Sequence, residues 1–169
     1  MNRKAHCLRL VLTLLCAAVL AACVQAPRVP TQPSVQVPAG LLQVECGGER
    51  FTVGVAANDA TRGRGLSGRR TLGRNEGMLF LYPNQGVRSF WMKDCHVDLD
   101  VLFLDARGCV INVVTLLAPV AGTQELDLPL AVSERPAATV LELPAGTARR
   151  LGLRAGSQVC WSVYEGRIE

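Results

Sequence analysis

The chain has 169 residues, with 18 Lys and Arg against 14 Asp and Glu for a formal net charge of +4. That length suffices for one domain with a real core. Removing Arg3, Lys4 and Arg9 with the N-terminal segment leaves 15 bases against 14 acids, a balance that argues against a general nucleic-acid binder, which needs a basic footprint.

Residues 1–22 are laid out as a secretory signal: Asn2-Arg3-Lys4 is the positive region and Leu8 to Leu20 the short apolar run. Leu20-Ala21-Ala22-Cys23 resembles the bacterial lipobox, so Cys23 is the expected lipidation site and the new N-terminus. An ordinary cleaved signal or an uncleaved anchor is the alternative. Several acyl chains on one cysteine make a stable anchor. Val24 rather than Asp follows the cysteine, which favours the outer over the inner membrane of a bacterial envelope, with the domain facing the periplasm. Residues 23–40 form the lipidated cysteine and a tether rich in proline (Pro27, Pro30, Pro33, Pro38), which favours an extended chain.

A single domain is expected over 41–169. Leu41 to Cys46 and Arg50 to Ala56 read as strands joined at Gly47-Gly48. Asn58 or Asp59 caps a short helix over Ala60 to Leu66, weakened by glycines. Met78 to Tyr82 is a strand closed by Pro83-Asn84-Gln85-Gly86, and Val87 to Lys93 is the next. Leu99 to Leu104 is almost continuously apolar, the pattern of a strand covered on both faces; Cys109 to Leu116 returns antiparallel to it. Ala118 to Arg135 reads as a long loop with at most an edge strand. Thr139 to Leu143 is a strand, Gly146 to Leu151 a helical turn, and Gln158 to Tyr164 the last strand. Many short strands with frequent turns predict a mainly β fold: a single-domain β-sandwich or barrel-like, jelly-roll-like structure with one or two short helices.

Cys46, Cys95, Cys109 and Cys160 remain after the leader and lipid site, permitting disulfides among them or buried free thiols. Their spacing matches no paired C-x-x-C zinc site, and His96, the one histidine after the leader, cannot build a multi-histidine centre, so neither metal nor cofactor is expected.

Arg62-x-x-Gly65-Leu66-x-x-Arg69, Asn75-x-Gly77-Met78-Leu79-Phe80, Phe90-Trp91-Met92-Lys93 and Asp98-Leu99-Asp100-x-x-Phe103-x-Asp105 occur in order, followed by Val140-Leu141-Glu142-Leu143-x-Ala145-Gly146 with Gly152 and Gly156. Over residues 41–164 this resembles domain of unknown function family 192, which implies a compact, mainly β, often exported domain and no particular reaction. Two departures stand out. Asp94-Cys95 and Val97-Asp98 replace the family's usual Asn-Thr and Ile-Pro, and Pro119 to Ala138 lacks a tyrosine- or cysteine-bearing motif common in relatives.

The candidate ligand-binding residues are Arg62, Arg69, Trp91, Lys93 and Asp100. Asp98 and Asp100, two apart on a strand, would face one side and could act as acid and base. The plainer reading pairs Asp100 with Arg62 or Arg69 to lock the helix to the sheet. Trp91 reads as core, with a pocket wall as the alternative. Lys93 reads as a solvated strand end, and the arginines at 62, 64, 69, 70 and 74 as a solvated face that could also meet an anionic surface. No catalytic residue is assigned, because no serine sits in a nucleophile elbow and no Walker or Rossmann glycine motif appears.

The expectation is a membrane-anchored envelope lipoprotein that binds a small molecule, glycan or protein partner without chemistry. The alternatives are a carboxylate-dependent hydrolase or lyase, and a structural accessory module of an envelope complex.

Overall fold

The computed structural model describes residues 41–163. The signal, Cys23 and the proline-rich tether lie outside the described residues, as does the end of the chain after Val163.

Nine strands and two short α-helices follow in the order β1 (Leu41–Cys46), β2 (Glu49–Ala56), α1 (Asp59–Arg64), β3 (Glu76–Gly86), β4 (Ser89–Trp91), β5 (Leu99–Leu104), β6 (Val110–Leu116), β7 (Leu130–Val132), β8 (Ala137–Pro144), α2 (Thr147–Leu151) and β9 (Val159–Val163). A 3-10 turn at Glu125–Asp127 precedes β7. Seven strands form one sheet in the order β6-β5-β8-β3-β2-β1-β9, and β4 pairs with β7 in a small second sheet. The large sheet curls into a half-barrel. Its outer strands meet where Cys109 bridges Gln158, and Val110 N–H donates to the Ser157 carbonyl at 2.9 Å. The fold is mainly β and barrel-like, as the spacing of strands and turns predicts.

Local chemistry accounts for most of these elements. Gly47 and Gly48 take φ of 56° and 79°, the left-handed pair that a tight hairpin between β1 and β2 needs. Asn58 caps α1: its side chain accepts from Thr61 N–H at 2.9 Å while Thr61 Oγ1 accepts from Asn58 N–H at 3.1 Å, a reciprocal capping box. The helix spans only Asp59–Arg64, because Gly65 turns the chain at φ 47°. Gly152 ends α2 in the left-handed conformation.

Three elements differ from expectation. β3 runs through Pro83-Asn84 to Gly86, with its pairing to β8 interrupted between Leu81 and Gly86; proline is tolerated at such an irregularity because no ladder bond is asked of it there. The strand expected over 87–93 shrinks to Ser89–Trp91 and leaves the main sheet for β7. Lastly, β2 and β3 pair in parallel, Thr52 opposite Glu76, with α1 inside the crossover that a parallel pair requires.

Two apolar clusters lie on opposite faces of the large sheet. One holds Phe51, Leu79, Leu102, Leu141 and Leu143; the other holds Phe80, Met92, Leu99, Val101, Phe103 and Val140. All six residues of β5 are buried, the two-sided coverage that its apolar run foretells. Phe90 fastens the small sheet to the second cluster, edge-on to Phe80 at 4.8 Å and to Phe103 at 6.0 Å between ring centroids.

Candidate functional site

On the second of these faces, α1 and the glycine-rich turn after it, β3, β4, the loop 93–95 and β8 surround a cavity of about 590 Å³. Its inner wall is apolar, with Phe80, Phe90, Leu66 and Leu99; Arg62, Arg64, Lys93, Asp94 and Trp91 also line it. A neighbouring cavity of about 510 Å³ shares Lys93, Asp94 and Cys95 and extends under Pro119 to Leu128.

Four of the five candidate binding residues have the surroundings expected of a surface feature or a cleft wall, and one does not. Arg62 lines the cleft, but its guanidinium is tied down: Nη1 donates to the Leu81 carbonyl at 2.7 Å and Nη2 meets Asp59 at 2.6 Å. It also lies 5.0 Å from the Tyr82 ring centroid, and Arg88 stacks on the same ring at 3.7 Å. Trp91 is 51% exposed and is not core. It points away from the sheet it flanks, while its neighbours Phe90 and Met92 turn inward. Lys93 sits 5.2 Å from the Trp91 ring and pairs with Glu125 at 2.9 Å. Arg69 is exposed and does not line the cleft; its backbone carbonyl accepts from His96 N–H at 3.2 Å.

Asp100 is the exception. It is only 1% exposed, and it pairs with neither Arg62 nor Arg69. Thr115 Oγ1 donates to it at 2.6 Å, and the Ala148 backbone N–H donates at 2.7 Å. Asp100 therefore caps the first turn of α2, where N–H groups lack partners within the helix. Asp98 is exposed and accepts from Ala118 N–H at 2.7 Å. The two carboxylates are not gathered into one cleft beside Trp91, as an acid–base pair would require.

The residue that the sequence reading passed over is Glu142. Its cross-strand neighbours are Met78 on β3 and Val101 on β5, which puts it on the cleft face. It is 6% exposed, it lines the cavity, and among the described residues its Oε2 has no hydrogen-bond partner. Burial without a partner disfavours the charged form. Its pKa is accordingly pushed up to about 8, which favours the neutral carboxyl at pH 7. Asp100, equally buried but doubly hydrogen-bonded, shows the opposite solution to the same problem. Burial also raises the Tyr82 phenol and the Cys95 thiol, and a charge on Glu142 would raise both further. A carboxylate at the position after Leu141 in an otherwise apolar strand was the available signal.

Asp94, at the edge of the cleft, has φ 54°, a left-handed conformation that asparagine and aspartate adopt far more readily than other side chains. Its carbonyl accepts from Gly68 N–H at 2.8 Å and so clasps the turn after α1. The four described cysteines are free thiols: Cys46 and Cys95 are buried, Cys109 is partly exposed and Cys160 exposed. Cys46 and Cys95 lie in the two separate core clusters, so they do not bond to each other. Among the described residues no cluster of three or more metal-ligating side chains occurs, and no helix is long and apolar enough to cross a membrane.

Against known families, residues 42–161 match the model of DUF192, described as Uncharacterized ACR, COG1430. The chain belongs to DUF192. Two solved structures share the fold of this DUF192 domain. A Sinorhizobium meliloti 1021 protein, provisionally described as a transcription regulator, is 29% identical with a TM-score of 0.61, covering 72% of this chain and 92% of its own. A protein of unknown function from Novosphingobium aromaticivorans DSM 12444 is 29% identical with a TM-score of 0.62, covering 76% of this chain and 89% of its own. No curated protein matches the chain.

Proposed function

We propose that this DUF192 protein is a non-catalytic binding domain of the bacterial cell envelope, held to the membrane through Cys23, that takes a small molecule into the cleft beside Trp91. One observation carries the binding reading: a cleft with an apolar inner wall and a charged rim, whose lining includes the buried, unpartnered carboxyl of Glu142. Ligand sites are concave, mostly apolar and fitted with a few polar groups that fix orientation. Trp91 supplies an exposed flat ring at one side, suited to packing on a sugar or another ring. The separation of Asp98 from Asp100 removes support for the hydrolase or lyase reading, which needs both carboxylates at one substrate. The anchor rests on the lipobox-like Leu20-Ala21-Ala22-Cys23.

The test is thermal denaturation of the protein against glycans, nucleotides, organic anions and divalent metals. A compound that binds only the folded state raises stability by RT ln(1 + [L]/Kd), so a true hit grows with concentration. The expected hit disappears in Trp91→Ala while the melting temperature of the free protein holds. A flat response across the panel would redirect the reading to a protein partner. Incorporation of labelled fatty acid in the producing bacterium, abolished in Cys23→Ala, tests the anchor; its absence in the unsubstituted protein would remove it.

A further inference from the structure

Among the described residues, the Glu142 carboxyl stands buried without an ion pair, whereas Glu49, whose Oε2 is also unpartnered, pairs with Arg150 through its other oxygen. Buried polar atoms in proteins almost always have a partner, and Glu142 Oε2 has none among the described residues. Resting on the binding reading above, we propose that the cleft selects a small neutral molecule whose carbonyl or amide end meets the Glu142 carboxyl and whose ring or alkyl body lies against Phe80, Phe90 and Trp91.

Charge is what narrows the class. The groups facing Glu142 from the packed elements are Tyr82 on β3, itself flanked by Arg62 and Arg88, and Cys95 on the loop. Phenol and thiol are both held neutral by burial. The cross-strand neighbours Met78 and Val101 are apolar. At the mouth, Arg62 is matched by Asp59 and Lys93 by Glu125; Arg64 also lines the cavity. An anionic group meeting Glu142 would itself be desolvated beside Phe80 and Leu99. A cationic ligand would need Glu142 ionised beside Phe80, Leu99 and Val101, where desolvation opposes it. A neutral carboxyl instead offers one O–H donor and one acceptor oxygen side by side. That pair complements an amide, which presents a carbonyl acceptor and an N–H donor with the same spacing, once a rotation of the side chain brings the solvent-closed Oε2 to the cleft.

Such a site is linked to protons. The ligand carbonyl accepts from the protonated form, so binding draws Glu142 further toward protonation, and affinity falls as pH climbs past about 8.

Three ring probes of one size separate the classes: benzamide, benzoate and benzylammonium, each titrated against the full chain by calorimetry from about pH 6.5 to about pH 9.5. Benzamide is expected to bind most tightly, with affinity flat at the acid end and falling by about tenfold per pH unit well above the Glu142 pKa. Glu142→Gln, whose side-chain amide keeps a donor and an acceptor, retains benzamide binding within a few-fold and loses this pH dependence. Any titration of Tyr82 or Cys95 persists in that variant and is subtracted. Tightest binding by benzylammonium, strengthening above about pH 8, would overturn the proposal by making Glu142 a counter-ion. Tightest binding by benzoate, or pH-flat benzamide binding, overturns it too. If none of the three binds while a panel compound protects the fold through Trp91, this ligand class fails and the binding reading stands. If no panel compound binds either, both fail.

Discussion

Asp100 and Glu142 carry their carboxyls on opposite faces of one sheet, although β5 and β8 run side by side. The register decides it: Asp100 stands opposite Leu143, and Val101 opposite Glu142. One residue of offset sends the first carboxyl to the α2 side and the second into the cleft. The two acids therefore do unrelated work, and substitutions at them separate stability from binding.

Replacing Glu142 by Gln is expected to stabilise the protein near pH 8. A carboxyl whose folded pKa is raised releases its proton more readily when unfolded, so stability is greatest below the ordinary carboxylate range and falls as pH rises from about 4.5 to about 8. The slope from this one group is at most about 1.4 kcal/mol per pH unit. Chemical denaturation at several pH values checks this: the unsubstituted protein loses stability across that window relative to Glu142→Gln, and parallel curves would refute the neutral buried acid.

Asp100→Ala removes two hydrogen bonds and strands the Ala148 N–H at the start of α2. A loss of roughly 2–4 kcal/mol is expected. Asp100→Asn retains an acceptor and costs less. Neither change touches the cleft face, so ligand affinity, measured on the folded fraction, stays put. A selective loss of affinity in Asp100→Asn would mean that the two faces communicate.

Trp91→Ala is expected to change stability by at most about 1 kcal/mol, the scale of an exposed substitution, and to remove binding. Differential scanning calorimetry paired with ligand titration separates the two effects. A collapse of the fold would return Trp91 to the core role that its apolar neighbours suggest.

Gly77→Ala is expected to be far more damaging. An added Cβ would run into the Glu142 carbonyl oxygen and come within 2.9 Å of Leu143 Cδ2. A backbone atom cannot rotate aside, so β3 and β8 must part, at a cost of about 3 kcal/mol or more. Equilibrium unfolding in urea reads this directly, and a near-neutral result would show that the strands can slide.

The thiols should separate by burial. The Cys46 thiol is pushed up to about 11, chiefly by desolvation, with Glu49 adding to the rise, and Cys95 is raised for the same first reason. Thiolates are the reactive form. An aromatic disulfide reagent at about pH 8 should label Cys160 first and Cys109 next, and reach Cys46 and Cys95 only after unfolding, as read by peptide mass mapping. Oxidised Cys109 or Cys160 in protein isolated without reductant would mean that the accessible thiols find partners.

Most strands were legible because the signals are local. Gly47-Gly48 turns, Asn58 caps, Gly152 stops, and Leu99 to Leu104 announces its double coverage. What the sequence hides depends on partners distant along the chain. The parallel pairing of β2 with β3 follows from the α1 crossover, which no local pattern encodes. Trp91 reads as core because aromatic residues in apolar runs generally are, yet the small sheet stands off the main one and leaves one of its faces to solvent. Glu142 was overlooked because a lone acid in a strand ordinarily faces water. Only the coverage of β8 on both sides turns it into the floor of a cleft.

The strand order puts the last strand beside the first: β9 hydrogen-bonds to the edge of β1 that β2 leaves free, Cys46 opposite Val159. A chain made from its N-terminus can close the β1–β2 hairpin at once, but the other margin of β1 stays bare until residue 159 has emerged. For that interval the nascent domain offers an open row of amides and carbonyls, the kind of template on which neighbouring chains assemble. Emergence of β9, rather than early collapse, is then the event that covers this margin, and a chain truncated before β9 would leave it open whatever the quality of the rest of its core.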